Sequence, residues 1–441
     1  MNAPATSVSR QGRGPRISAG LLDAAVAAAA RVLKLEHPAD AVLSAFFRAH
    51  PKLGQADRAF VADAIYALLR RWRLVSYALA EAGVAAPAPR MLVLAALVRV
   101  VGSNVRELEG AARPGELARL EAIKGAARGA LPFEVGCDLP DWVVGRLRAQ
   151  LGDESTLALA RALAQPAPLD LRVNLVKAER DEVARALAAQ GIAARPTPYS
   201  PTGLRVAGRP PVNRSPLFAA GAIEVQDEGS QLLCLLLAPR RGEMVVDFCA
   251  GAGGKALALG ALMRSTGRVY AFDVSEGRLA KLGPRLARSG LSNVHPQRID
   301  SERDPRVGRL AGKIDRVIVD APCTGLGTLR RNPDLKWRQD EAALGELASK
   351  QSAILAAAAT LVKPGGRLLY ATCSILAEEN EAVAEAFLRA HPAFALVPAG
   401  AALAAARVEL PQVGPADGFL RLRPDAHGTD AFFGALMERR A

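Results

Sequence analysis

Apolar positions along the chain follow two periods, and the change from one to the other divides it. From about residue 18 to 130 they recur every three or four positions, as in LLDAAVAAAARVL (21–33), DRAFVADAIYALLRRW (57–72) and MLVLAALVRVV (91–101). That spacing puts the apolar side chains on one face of a helix, and Gly and Pro fall mainly between the blocks, so the region reads as a helical domain. LPFEVGCDLPDWVVGRLRAQ (131–150) continues it into another short helical stretch. After QPAP (165–168) the character changes: DLRVNLV is strand-like, ERDEVARALAAQGI predicts a helix ending at Gly191, and Pro-rich turns precede GLRVAG. A small α+β piece reaching about residue 220 accounts for this.

From about 221 short apolar runs alternate with helical segments almost to the end: MVVDF (244–248), RVYAFD (268–273), NVHPQRID (293–300), DRVIVDAP (315–322) and GRLLYATC (366–373). Near-continuous apolar strands separated by helices predict a parallel sheet covered on both faces, a doubly wound α/β domain. The predicted division is an N-terminal arm over 1–17, a helical domain over 18–145, linking helices with a small α+β subdomain over 146–220, and the α/β domain over 221–441. Ligands of such sheets bind outside the carboxyl ends of the strands, which singles out Cys249, Asp273, Asp300, Asp320, Cys323 and Cys373.

Charge and cysteine content narrow the class. A net charge of +13 favours a polyanionic partner, with nucleic acid the first candidate and an Arg-rich surface the plain alternative. The first 17 residues carry basic side chains, no acidic ones and little to bury, so they read as a mobile basic arm. Asp23 interrupts the apolar stretch that follows, which argues against an export signal, and no run approaches the roughly 20 apolar residues that span a bilayer. Five irregularly spaced cysteines and five histidines without ligand spacing speak against a disulfide framework and a metal site. A cytoplasmic, monomeric protein with neither membrane nor metal partner is expected.

The turn after the first strand, DFCAGAGGKALALG (247–260), opens a helix. Glycines let the backbone approach a ligand and the helix N-terminus presents free N–H groups. A phosphate P-loop would need Gly in place of Cys249 and Ser or Thr in place of Ala256. GAGGKA does satisfy G-x-G-x-x-[GA], and Asp273 follows at the end of the second strand, where a carboxylate can bind ribose hydroxyls. A nicotinamide dinucleotide and S-adenosylmethionine both meet that description.

The fourth strand separates them. It ends in Asp320-Ala-Pro-Cys323, where enzymes that methylate exocyclic amines carry a lone-pair-aligning N/D-P-P-Y motif. Carbon 5 of a pyrimidine has no lone pair and must first be made nucleophilic. A thiolate adding to carbon 6 does this, and a base must afterwards remove the carbon 5 proton before the thiol leaves. Cys323 and Cys373, each just beyond a strand, suit that chemistry, whereas hydride transfer has no need of them. Cys373 is also expected just before a helix N-terminus, a position that favours a thiolate. Residue types alone do not say which of the two attacks. The plain reading of each cysteine is a small buried apolar side chain, which fits Cys137 and Cys234.

FCAGAGGK (248–255), DAPCTGLGTLRRNPDLKW (320–337) and YATCSILAEENE (370–381) together resemble the motifs of the RNA cytosine-5 methyltransferases of the Sun/NOL1/NOP2 family. QDEGSQL (226–232) and DGFLRLRPDAHGTDAFF (417–433) are similar as well, so the resemblance covers about 170–441. LGQADRAFVADAIYALLRRW (53–72) resembles the NusB-like module that precedes the catalytic domain in the bacterial 16S rRNA members. The resemblance implies a class I S-adenosylmethionine-dependent methyltransferase domain behind an all-α NusB-like domain and a small α+β RNA-binding subdomain. It implies Cys373 as nucleophile and Cys323 as the thiol that assists product release, with Asp320 near the reacting methyl and the ring. Cofactor contacts would come from Cys249, Ala250, Gly251, Ala252, Gly253, Gly254 and Lys255, with Asp273 on the ribose, Asp300 near the adenine, and Asp320. Ala252 and Ala256 depart from the family's C-A-x-P-G-G-K-T without removing a catalytic group.

Arg330, Arg331, Lys336, Trp337 and Arg338 mix cations with an aromatic just after Cys323, a pattern suited to phosphate contact and base stacking, or to a solvated surface with the indole turned inward. Arg70, Arg71, Trp72 and Arg73 are a weaker candidate, because a helix spreads them around its circumference. The expected activity is transfer of methyl to carbon 5 of a cytidine in RNA, with 16S rRNA the leading substrate. A paralogue acting on another RNA such as tRNA, a nicotinamide-dependent oxidoreductase and a non-catalytic assembly factor are the alternatives.

Overall fold

The computed structural model describes residues 17–126 and 129–441, so the basic arm expected over 1–17 lies, but for its last residue, outside the described residues. The chain forms two compact units. One holds the described residues up to Arg148, then Asp153–Ala164 and, from far along the chain, Asn332–Arg338; the other holds the remainder.

The first unit is all helical. Ala19–Val32, Gln55–Arg70 and Pro89–Ala96 form where the apolar period placed helices, and Ala39–Ala49 and Trp72–Glu81 lie between them in the chain. Their buried stripes (Leu22, Ala25, Ala29 and Val32 on Ala19–Val32; Val61, Ile65, Leu68 and Leu69 on Gln55–Arg70) meet in one core. Pro89 enters at the first turn, where a missing N–H costs nothing. Asp141–Leu163 is bent at Gly152, whose φ of 75° only glycine adopts easily. Leu335–Arg338 joins this unit as a single turn.

The second unit contains two sheets. The small one is antiparallel, with β1 (Leu169–Val173), β2 (Ala194–Pro196), β3 (Gly203–Val206) and β4 (Ile223–Val225) in the order β2-β3-β1-β4. Helix Arg180–Ala189 packs Val183 and Leu187 on the face made by Leu171, Val173, Leu204 and Ile223. The sheet takes in β4, beyond the boundary read at 220, because Leu171–Val173 pair with Ile223–Val225.

The large sheet comprises β5 (Met244–Asp247), β6 (Arg268–Asp273), β7 (Val294–Arg298), β8 (Ile314–Asp320), β9 (Val362–Thr372), β10 (Phe394–Leu396), β11 (Leu420–Leu422) and β12 (Phe432–Arg439). Its order is β10-β12-β9-β8-β5-β6-β7, with β11 beside β12. β5 through β9 run parallel, as their apolar runs predicted. β12 departs from that expectation: it returns antiparallel between β9 and β10, each residue from Phe433 to Glu438 facing one of β9. The continuous apolar runs follow from two covered faces. Ile318, Leu369 and Ala371 enter the core under helices Glu228–Leu237 and Gly254–Leu262, while Val317, Val319, Leu368 and Tyr370 enter the one under Glu341–Ala359 and Glu381–Ala390. No described helix is long and apolar enough to cross a membrane.

Candidate active site

The carboxyl ends of β5, β6, β8 and β9 open onto one cleft of about 430 Å³, within the range of small-molecule sites. Its walls include Cys249 to Ala252 after β5, Asp273 and Val274 after β6, Asp320 to Cys323 after β8, and Cys373 after β9. Register brings the thiols together. Asp320 pairs with Ala371 across β8 and β9, so the segments leaving both strands run side by side, and Cys323 Sγ and Cys373 Sγ lie 3.4 Å apart. The hydrogen bond with Cys373, burial and the charges of Cys373 and Glu379 push the Cys323 thiol well up. Gly327 packs against the same turn: its N–H donates to the Cys373 carbonyl at 2.8 Å, and a Cβ there would come within 2.6 Å of that oxygen.

The helix expected directly after Cys373 begins only at Glu381, with seven residues intervening, so its first turn does not directly follow this cysteine. The intervening segment is organised by Glu379. Glu379 falls in the stretch expected to open that helix; it is fully buried. Four donors surround its carboxylate: the Thr324 N–H at 2.8 Å, the Thr324 hydroxyl at 2.5 Å, the Gln351 amide at 3.0 Å and the Ser374 hydroxyl. A buried acid placed between two motif segments leaves no mark in hydropathy, since only the fold supplies its donors.

Across the cleft, Lys255 Nζ meets Asp320 Oδ2 at 2.7 Å. Burial works against its charge, but Asp320 and the hydrogen bond to it outweigh that, and the ammonium is held above its usual range. The Gly-rich turn is pinned from several sides. The Gly251 N–H donates to Asp273 Oδ2 at 2.8 Å, Arg285 to the Ala252 carbonyl at 2.5 Å and Arg172 of β1 to the Gly254 carbonyl at 2.8 Å. Gly253 has φ 80°, and a Cβ there would strike Leu282. Burial, reinforced by Asp247, pushes the Cys249 thiol up, and burial likewise raises Cys137 to about 11 and Cys234 to about 12. All five cysteines are free.

Several expected contacts are not assembled here. Asp300 does not line the cleft: its carboxylate is 72% exposed and pairs with Arg298 and Arg306, leaving Ile299 and Glu302 on the wall. Gly253, Gly254 and Lys255 lie behind the lining, Lys255 reaching it through Asp320. The proposed RNA-facing cations are occupied within the protein. Arg330 donates to the carbonyls of Gly428 and Thr429, and Arg331 bridges Asp227 and Asp430 at 2.8 and 2.5 Å. Lys336 is 3% exposed in the helical unit, bonded to the carbonyls of Arg70 and Asp138. Trp337 donates to the Leu69 carbonyl and packs edge-on against Trp72, and Arg338 pairs with Asp334. Arg71 and Arg73 in turn bind Asp138 and Asp141. Cationic composition alone does not separate a phosphate contact from an internal bond.

The cleft suits S-adenosylmethionine on one structural ground. Val274 is 47% exposed on its wall with Ile299 beside it, an apolar seat for an adenine. Asp247, at the end of β5, is buried with both carboxylate oxygens lacking a hydrogen-bond partner, the amides of Cys249 and Ala256 lying near without closing bonds. Burial first, and then the Asp320 charge, raise it to about 7. Among the described residues no cluster of His, Cys, Asp and Glu is arranged to hold a metal.

Fold and cleft together are those of the S-adenosylmethionine-dependent methyltransferases, whose sheet carries its last strand antiparallel beside the fifth. Within that class the chain belongs to the 16S rRNA methyltransferase RsmB/F family. The family's model matches residues 234–438, and the ferredoxin-like domain of RsmF/B-like methyltransferases matches 139–213. The probable ribosomal RNA small subunit methyltransferase B of Synechocystis is 31% identical over 429 residues, spanning 91% of this chain and 95% of that protein. Ribosomal RNA small subunit methyltransferase B of Yersinia pseudotuberculosis is 36% identical over 281 residues, 64% of each chain. The crystal structure of PH0851 superposes with a TM-score of 0.77 at 29% identity, covering 96% of this chain and 99% of that one.

Proposed function

We propose that this protein methylates carbon 5 of a cytidine in small-subunit (16S) ribosomal RNA, working in the cytoplasm. The observation that carries the reading is the pair of thiols 3.4 Å apart, at the ends of adjacent strands, in the cleft that also holds Asp320. S-adenosylmethionine, when bound, supplies a sulfonium methyl group. Cys373 Sγ adds to carbon 6 of the cytosine, the ring electrons shift toward carbon 5, and carbon 5 takes the methyl. The carbon 5 proton passes to a solvent base, which restores the double bond as the carbon–sulfur bond breaks and Cys373 leaves as thiolate. Cys323, whose thiol is raised, keeps its proton beside Cys373 Sγ and assists release. Asp320, fixed by Lys255, faces the ring. The small-subunit target is supported by the relatives' names.

The test is incubation of the purified protein with S-adenosylmethionine and unmodified 16S rRNA, followed by nucleoside mass spectrometry. The reading expects 5-methylcytidine at one position; methyl on a nitrogen or on ribose would overturn the carbon 5 chemistry. Methylation of tRNA alone would move the substrate to another RNA.

A further inference from the structure

We infer that Glu379 is a positioning residue for the thiol pair, holding the Cys323 and Cys373 segments at catalytic separation through one buried carboxylate; the inference rests on the function proposed above. Thr324 directly follows Cys323 and Ser374 directly follows Cys373, and both hydroxyls donate to Glu379 Oε2. Glu379 Oε1 accepts from the Thr324 amide and from Gln351, whose Nε2 also reaches the Pro322 carbonyl at 3.0 Å. The carboxylate has about four acceptor sites, and all four meet donors. Tyr370, buried in β9, donates to the Glu379 carbonyl, and Asn380 accepts from the Thr372 hydroxyl while donating to the Ser374 carbonyl at 3.2 Å.

The arrangement has two consequences. Each cysteine is anchored by its next residue to a common atom group, so the two segments that carry the sulfurs cannot separate without breaking a charge-assisted bond in a buried site. The anion also lies close enough to Cys323 to favour its protonated form. Glutamine at 379 would keep the shape, but it would turn an NH₂ group toward donors that need acceptors. An ordinary structural acid would serve stability alone; this one joins the two segments that carry the chemistry.

The test is Glu379→Gln beside Thr324→Val and Thr324→Ser, measured for turnover, S-adenosylmethionine affinity and denaturant-resistant protein–RNA adduct. Glu379→Gln should lower kcat on the order of a hundredfold, the scale of a small misplacement of reacting groups, while cofactor affinity changes less than about twofold. Adduct should accumulate in Glu379→Gln and Thr324→Val, because attack survives and release is slowed. Thr324→Ser keeps the hydroxyl and should restore release. Unchanged turnover in Glu379→Gln, or equal release in Thr324→Val and Thr324→Ser, overturns the inference. Parallel loss of cofactor binding and adduct in a folded Glu379→Gln protein also overturns it. Absence of adduct even in Cys323→Ala would instead count against the covalent reading itself.

Discussion

Lys255 and Asp320 meet at 2.7 Å, joining the first turn of the helix after β5 to the end of β8. The ammonium is nearly buried while the carboxylate side chain is 30% exposed to the cleft, so the pair fixes an acid at the wall instead of sealing it in the core. Lys255→Met should leave Asp320 without its counter-charge and free to rotate. Turnover should fall on the order of a hundredfold, the usual scale for a displaced proton-handling or ring-binding group, with a smaller change in cofactor affinity. Single-turnover kinetics beside equilibrium cofactor binding separate the two; unchanged turnover would remove Asp320 orientation from the mechanism.

The two thiols should give opposite phenotypes. Cys373→Ala is expected to abolish transfer and adduct with cofactor binding intact. Cys323→Ala is expected to trap RNA on Cys373 as a species that survives denaturing electrophoresis. Trapping by the reverse variant would exchange the roles.

Asp247 makes stability depend on pH. Its carboxyl rises from the ordinary 3.8 to about 7 in the folded protein, first through burial and then through Asp320. Below pH 4 both folded and unfolded chains hold the proton, and nothing is lost. Between pH 4 and 7 the unfolded chain releases it first, so folding stability falls as pH rises, by up to roughly 4 kcal/mol. Asp247→Asn should therefore stabilise the cofactor-free protein increasingly from pH 4 to 7 and by a constant amount above. Chemical denaturation at pH 5 and pH 8 checks this; equal gains at both would contradict it.

Lys336 should matter to the fold and not to RNA. Burial lowers its pKa to about 8 against the pull of Asp138, 3.8 Å away. Lys336→Met removes one partner of a buried ionic cluster and should cost about 3 kcal/mol, the lower end for such pairs. The slope of RNA affinity against salt should stay unchanged, since no phosphate contact is lost. A flatter slope would restore Lys336 as an RNA contact.

Much of this was legible from residues alone. Helical and strand periods located the helices Ala19–Val32, Gln55–Arg70 and Pro89–Ala96 and the five parallel strands, because burial of a stripe or of two sheet faces imposes those periods wherever it occurs. Strand ends followed by Gly, Asp or Cys marked the cleft, since a parallel sheet presents its carboxyl ends to ligands. The antiparallel return of β12, the burial of Glu379, the pairing of Asp300 with Arg298 and Arg306 and the internal capture of Arg330, Arg331 and Lys336 were decided only in three dimensions. An acid or a base in sequence carries its charge but not its partner. Lys336 reads as a phosphate contact or a solvated cation and Glu379 carries no assigned role, yet each is buried because distant segments, at Arg70 and Asp138 for the one and at Thr324 and Gln351 for the other, bring the hydrogen bonds that compensate for lost water.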